Sequence, residues 1–174
     1  EPVEQEAQAR LLEKLHNHSG RNALLVLRPA DAGETTVAWQ IAMENMLTPT
    51  ALILSRQNIK DLPAGTDYTQ ARRGAYVVTD TAGCPDVVMI ASGSEVSTLV
   101  AGAALLADDG IKARVVSAPS EGLFREQPIS YQQELFPLGS KVFGLTAGLP
   151  VNLQGFLIGA HPSSSIWGLG SFGF

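Results

Sequence analysis

Val87-Val88-Met89-Ile90-Ala91 is an unbroken apolar run of strand length, the pattern of a strand covered on both faces inside a parallel sheet. It feeds Ser92-Gly93-Ser94-Glu95, where Ser92 and Glu95 have the spacing of a capping box. Val96, Leu99, Val100 and Ala103 then fall on one helical face, and Asp108-Asp109-Gly110 places a glycine where a helix ends in a left-handed residue. Ala113 to Ser117 is the next apolar strand. Strand, amphipathic helix and parallel strand make a β-α-β unit, whose crossover is expected to be right-handed. That unit commits the chain to an α/β architecture. Around it the pattern predicts a strand over Ala75 to Thr79, short helices over Glu121 to Gln127 and Ser130 to Phe136, and further strands over Lys141 to Thr146 and Ile166 to Leu169.

The region before residue 62 follows the same alternation with fewer strands. Only Leu24 to Leu27 and Ala51 to Leu54 have strand character, too few for an independent sheet of normal size. Between them Asp31 is placed to cap a helix running from Gly33 to Met46. Val37, Ala38, Ile41 and Ala42 form one apolar stripe of that helix, and Trp39, Met43 and Met46 form another. Two apolar faces predict burial on two sides, one against the sheet and one against a further domain or subunit. Pro2 marks the start of an N-terminal helix, with Val3, Ala7, Leu11 and Leu15 as its apolar face. Glu6 and Arg10 are expected to pair across one turn on its solvent side. Pro63-Ala64-Gly65-Thr66-Asp67 is rich in turn residues, and we place a linker at 62–73. Arg72-Arg73 at its end reads as a solvated pair or as a tie between domains.

Composition removes several classes of function. Hydrophobic residues make up 45% of the 174-residue chain, ample for a core. A net charge of −5 leaves no basic stripe to replace phosphate counterions, so a nucleic-acid partner is not expected. No apolar run approaches the roughly 18 residues of a membrane span, and no charged-then-apolar leader opens the chain. The single Cys84 cannot form an intramolecular disulfide, consistent with a reducing cytoplasm. It reads as a structural residue in a turn.

Among candidate functional groups, Arg56 stands out. It follows the apolar run Ala51-Leu52-Ile53-Leu54 and Ser55, and ligands of open α/β sheets bind beyond the carboxyl ends of strands. A planar, permanently charged fork there suits a phosphate or carboxylate; the structural alternative is a local ion pair or a helix-carbonyl contact. Ser92-Gly93-Ser94-Glu95 has the small residues of an anion nest, but Glu95 would repel an anion, so it reads as an ordinary capped helix. His16 and His18 lie near a helix C-terminus without a third metal ligand nearby. His161 with Ser163, Ser164 and Ser165 lacks an acidic partner for a nucleophile pair.

Arg28-Pro29-Ala30-Asp31, Ala38-Trp39, Pro49-Thr50-Ala51-Leu52, Ser55-Arg56-Gln57-Asn58, Ala91-Ser92-Gly93-Ser94-Glu95-Val96, Lys112-Ala113-Arg114-Val115-Val116-Ser117 and Pro119-Ser120 occur in this order with helix-length spacing. The series closely resembles transketolase from Glu1 to about Ser120, and more loosely through Phe172-Gly173. The resemblance implies the end of a thiamine-diphosphate-binding (pyrimidine) domain over 1–61, the linker at 62–73, and over 74–174 a C-terminal-domain-like, three-layer α/β unit with a mostly parallel sheet. It implies an enzyme of the pentose phosphate pathway that moves a two-carbon ketol unit from a ketose phosphate to an aldose phosphate. Thiamine diphosphate and magnesium (or calcium) are the implied cofactors, sugar phosphates the substrates, and a homodimer the assembly. Residue by residue, Arg56 matches the family's arginine that holds the sugar phosphate. No catalytic, cofactor-binding or metal-binding residue is implied within these 174 positions. Glu1 would follow the family's Asp-Gly-Pro-Thr-His motif directly, and Gly168 to Phe174 is glycine-rich and apolar, so the chain is expected to be a fragment cut at both ends and inactive alone. The alternative is a non-catalytic dimerisation or ligand-binding module of a related thiamine enzyme or split subunit.

Overall fold

The computed structural model describes residues 4–157 and 159–169. Pro2, Val3 and the final glycine-rich stretch from Gly170 onward lie outside them. Two sheets organise the described residues. The smaller pairs β1 (Leu25–Leu27) with β2 (Thr50–Leu52) in parallel, and the larger has five strands in the order β3-β5-β4-β6-β7. These are β3 (Tyr76–Thr79), β4 (Val87–Ala91), β5 (Ala113–Ser117), β6 (Val142–Leu145) and β7 (Ser165–Trp167). Only β3 runs antiparallel, so the sheet is mostly parallel, and β4 lies at its centre. Its position explains the unbroken apolar run: Val88, Ile90 and Ala91 are fully buried.

The β-α-β unit forms over the expected residues. Helix α3 (Glu95–Asp108) connects β4 to β5, and Gly110 follows it with φ +77°. The capping box does not form. Ser94 is the N-cap and its side chain makes no cap hydrogen bond. Ser92 and Glu95 are instead engaged by Arg28, a cation that outcompetes a neutral amide for a carboxylate. Helices α4 (Glu121–Arg125), α5 (Ile129–Leu135) and α6 (Val151–Gln154) complete the larger unit. Phe124 sits at its core, edge-on to Phe136 at 5.7 Å and tilted against Phe156 at 5.2 Å.

In the first region Asp31 caps α2 (Ala32–Glu44) by accepting from the Glu34 amide at 2.9 Å. The helix ends two residues short of Met46, where Asn45 closes it and donates through Nδ2 to Thr50 Oγ1. Val37, Ala38 and Ile41 are buried as expected, while Trp39, Met43 and Met46 are exposed. Strand β2 also stops early. Ile53 and Leu54 lie beyond it, and Leu54 is exposed because no neighbouring strand covers it among the described residues.

Helix α1 (Glu4–Glu13) keeps only Ala7 of its expected apolar stripe buried among the described residues. Leu11 and Leu15 are more than half exposed, whereas Glu6, Arg10 and Glu13 are buried. The Glu6–Arg10 pair exists, at 2.9 Å, but faces inward rather than toward solvent. The reason lies in what the carboxylates satisfy. Glu13 accepts the Val26 amide at 3.0 Å, and Glu6 reaches Arg28 at 3.5 Å. Polar side chains here serve strand ends that an apolar face would leave unpaired.

Residues 62–73 are packed rather than extended. Leu62 is buried and its amide donates to Asp31. A 3₁₀ helix over Tyr68–Arg73 ends at Gly74, whose φ of +82° and close approach to the Ser120 and Phe124 backbone admit only glycine. Arg72 pairs with Glu44 of α2, while Arg73 lies over the Tyr131 ring of α5 at 4.7 Å. Adjacent arginines thus tie to different units.

Candidate functional site

The carboxyl ends of β1, β2, β4 and β6 open on one cleft of about 270 Å³. Its lining includes Glu6, Arg28, Ser55, Gly93 and Gly148. In the larger sheet β4 leads through α3 to β5 on one side, while β6 lies on the other side. The crevice between β4 and β6 is therefore a topological switch point, the place where open α/β sheets receive ligands. The smaller sheet contributes the opposite wall through Ile53, Leu54 and Ser55.

Arg28 fixes the geometry of this cleft. Its amide donates to the Pro119 carbonyl at 2.8 Å, and its carbonyl accepts from the Gly93 amide at 3.1 Å. Its guanidinium donates to the Ser92 carbonyl and, at 3.3 Å, to Ser92 Oγ. It also pairs with Glu95 at 2.5 Å and with Glu6 at 3.5 Å. Gly93 has φ +67°, and a Cβ there would stand 2.6 Å from the guanidinium carbon. Glycine is thus needed both for the backbone and for the close approach.

Arg56 lies in an exposed bend after β2, one residue beyond the Ser55 that lines the cleft. Gly93 and Ser94 of the Ser92-Gly93-Ser94-Glu95 run line the facing wall. The other candidates are elsewhere. His16 bridges Asn22. His161 Nδ1 accepts from the Ser163 amide, and Ser164 Oγ accepts from Val142, so this loop closes the start of β6. Cys84 is exposed in its turn. Among the described residues no group of three or more His, Cys, Asp or Glu gathers to hold a metal ion, and no helix is long and apolar enough to cross a membrane.

Beneath the cleft lies a polar joint that sequence patterns did not reveal. Glu34, only 1% exposed, accepts from Tyr76 Oη at 2.7 Å, Ser117 Oγ at 2.5 Å and the Ala30 amide at 2.8 Å. Burial pushes its carboxyl above the ordinary 4.5, against the three donated hydrogen bonds. Tyr76 is pushed up in turn, by burial first and then by the Glu34 charge. Asp31 accepts from Tyr68 Oη at 2.6 Å and from the Leu62 amide at 2.9 Å. Arg28 and Asp31 stand in the same Arg-Pro-Ala-Asp run, but nothing in their spacing specifies partners more than thirty residues away.

Two sheets whose strand ends share a cleft, one of them mostly parallel with a single antiparallel edge, define an α/β protein with a cleft where the two sheets meet. Residues 74–174 match the model of the transketolase-like TK C-terminal domain, and the chain belongs to that family. It is 46% identical to the transketolase of Aquifex aeolicus over 116 residues, covering 66% of this chain and 17% of that protein. The structure is similar to the transketolase from Leishmania mexicana, with a TM-score of 0.82 and 36% identity over 99% of this chain and 23% of that one. It is also similar to a Pichia stipitis transketolase in complex with sedoheptulose 7-phosphate, with a TM-score of 0.81 and 31% identity at the same coverage. The chain therefore spans 17% of the Aquifex protein and 23% of each of the two solved chains.

Proposed function

We propose that this chain is part of a transketolase that transfers a two-carbon ketol unit from a ketose phosphate to an aldose phosphate in the pentose phosphate pathway. In this reading 1–61 ends a pyrimidine-binding domain, 62–73 joins the units and 74–174 is the C-terminal domain. Arg56 holds the phosphate of the sugar substrate. The observation that carries the reading is the Ser55-Arg56-Gln57-Asn58 loop at the carboxyl end of β2, in a chain similar to transketolases over nearly its whole length.

Thiamine diphosphate, when bound, supplies the electron sink for the carbanion. By the resemblance to transketolases, we assign thiamine diphosphate and its divalent metal mainly to segments outside these 174 residues. The contribution of these 174 residues is to bind and orient. Exposed Trp39 and Met43 on α2, with exposed Met46 just past its end, support a homodimer as the working assembly. The lone Cys84 and acidic charge fit a cytoplasmic enzyme without a nucleic-acid partner.

The test is ketol transfer from xylulose 5-phosphate to ribose 5-phosphate by the full-length protein that carries this chain, with thiamine diphosphate and magnesium. A charged hydrogen-bonded contact is worth about 1.5–3 kcal/mol. Arg56→Ala is therefore expected to raise KM for phosphorylated acceptors about ten- to a hundredfold relative to unphosphorylated ones. Equal losses for both acceptor classes remove the phosphate role of Arg56.

A further inference from the structure

We propose that Arg28 is a positioning residue: it braces the cleft so that the loop carrying Arg56 meets the substrate phosphate, an inference that rests on the phosphate-binding reading of Arg56. Three observations converge on it. First, β1 is the only strand among the described residues that pairs with β2, and the Ile53 amide donates to the Leu27 carbonyl at 2.8 Å. The Arg56 loop therefore leaves the sheet beside the residue preceding Arg28. Second, the Arg28 backbone is held by Pro119 and Gly93, both in the larger unit. The end of β1 is thereby fixed to the larger sheet while its other edge carries β2. Third, the guanidinium ties three separate pieces together: Glu6 of α1, the Ser92 turn after β4 and Glu95 at the start of α3.

The same pairing shows why Arg28 is a brace rather than a second phosphate ligand. It is 12% exposed and already faces two carboxylates, so an arriving anion would meet Glu6 and Glu95 as well as the cation. Its distance to the Gly93 turn sets the spacing between the cleft walls, Leu54-Ser55 on one side and Gly93-Ser94 on the other. Recognition of a phosphate by an arginine fork is sensitive to displacements of about 0.5 Å and 10–20°. Loosening the brace is thus expected to act on phosphate recognition ahead of the chemistry.

The experiment uses the full-length protein with thiamine diphosphate and magnesium, comparing ribose 5-phosphate with the unphosphorylated acceptor glycolaldehyde. Arg28→Gln is expected to raise KM for ribose 5-phosphate by about fivefold or more, with kcat for both acceptors and KM for glycolaldehyde within about twofold of wild type. Arg28→Lys, which keeps the charge between Glu6 and Glu95, is expected to recover at least half of that KM change on a logarithmic scale. Joined to Arg56→Ala, Arg28→Gln is expected to add less than about twofold, because a brace for an absent arginine has nothing left to position. Glu95→Gln attacks the brace from its other end and is read by the same criteria if Arg28→Gln fails to fold. Equal losses on both acceptors, or full multiplication of the two single effects, overturns the positioning role. If Arg56→Ala itself fails to separate the two acceptors, the phosphate reading falls, and this inference falls with it. If Arg56→Ala separates them and Arg28→Gln does not, only the brace is wrong.

Discussion

The larger unit closes over aromatic and branched side chains that it supplies itself: Phe124, Phe136 and Phe156 with Val88, Ile90, Val116 and Leu153 all lie within 74–174. The region before residue 62 closes over borrowed ones. Leu25, Leu27, Val37 and Ile41 pack with Ala71 and Tyr76, and Ala30 packs with Met89, Val96 and Val115. Its buried carboxylates are shared in the same way, with Glu34 accepting from Tyr76 and Ser117 and Glu13 facing Ser120. A two-stranded sheet is too small to fold alone. The comparison teaches that its order is imposed across the junction, by hydrogen-bonded carboxylates and a shared apolar seam. The loop that carries Arg56 sits on this dependent side.

The sharpest way to break that contrast is to damage each side at its own anchor. Phe124→Ala removes a ring that is 1% exposed and contacts two others. It is expected to cost about 3–5 kcal/mol, read as a lower urea midpoint with both regions unfolding together, since the smaller sheet leans on the larger. Survival of the first region after the larger unit melts would contradict its dependence.

Glu34→Ala comes next. It leaves the Ala30 amide and two hydroxyls without their acceptor in a buried site. About 2–3 kcal/mol is expected. Glu34→Gln sharpens the point through pH. The raised folded pKa means that the native state holds this proton more tightly than the unfolded chain does. The Glu34 contribution is therefore fully present below 4.5 and declines as pH rises through the folded value. Relative to Glu34→Gln, wild type should lose stability over that rise; parallel urea midpoints across the range would mean that Glu34 titrates as an exposed glutamate.

The comparison also marks what could be read from residues alone. The larger unit was legible almost strand by strand, because β4 and β5 are covered on both faces and α3 carries a continuous stripe. Local period encodes burial when the neighbours are local. The placement of Arg56 after a strand was legible for the same reason. Helix α1 was misread because its apolar period is outweighed by tertiary demand: Glu13 and Glu6 serve Val26 and Arg28. The capping box was misread because Glu95 had a stronger partner 67 residues away. Long-range polar pairs leave no periodic trace, so the brace and the Glu34 joint appear only in three dimensions.

Smaller effects test the surface ties. Arg73→Gln removes a cation over an aromatic ring at an exposed site and is expected to cost about 0.5–1 kcal/mol. Loss should be insensitive to whether Arg72 keeps its pairing with Glu44, since the two arginines bind different units. A double variant that departs from additivity would show the two ties to be one.

The smallest effect on stability is expected where the contrast is most visible from outside. Met43 on α2 and Met46 just past its end are 73% and 84% exposed, with Trp39 on the same helix as Met43 at 52%. The buried stripe of that helix, Val37, Ala38 and Ile41, carries its folding energy. Met43→Lys with Met46→Lys therefore removes little buried surface and should change stability by less than about 0.5 kcal/mol. The cost should appear instead in assembly, because contiguous exposed apolar patches mark interaction surfaces. Under the homodimer proposed above, sedimentation of the full-length protein over a dilution series is expected to show a weaker dimer for the double variant than for wild type. An unchanged dimer would place the covering surface elsewhere, and a large fall in stability would mean that this face packs within its own subunit.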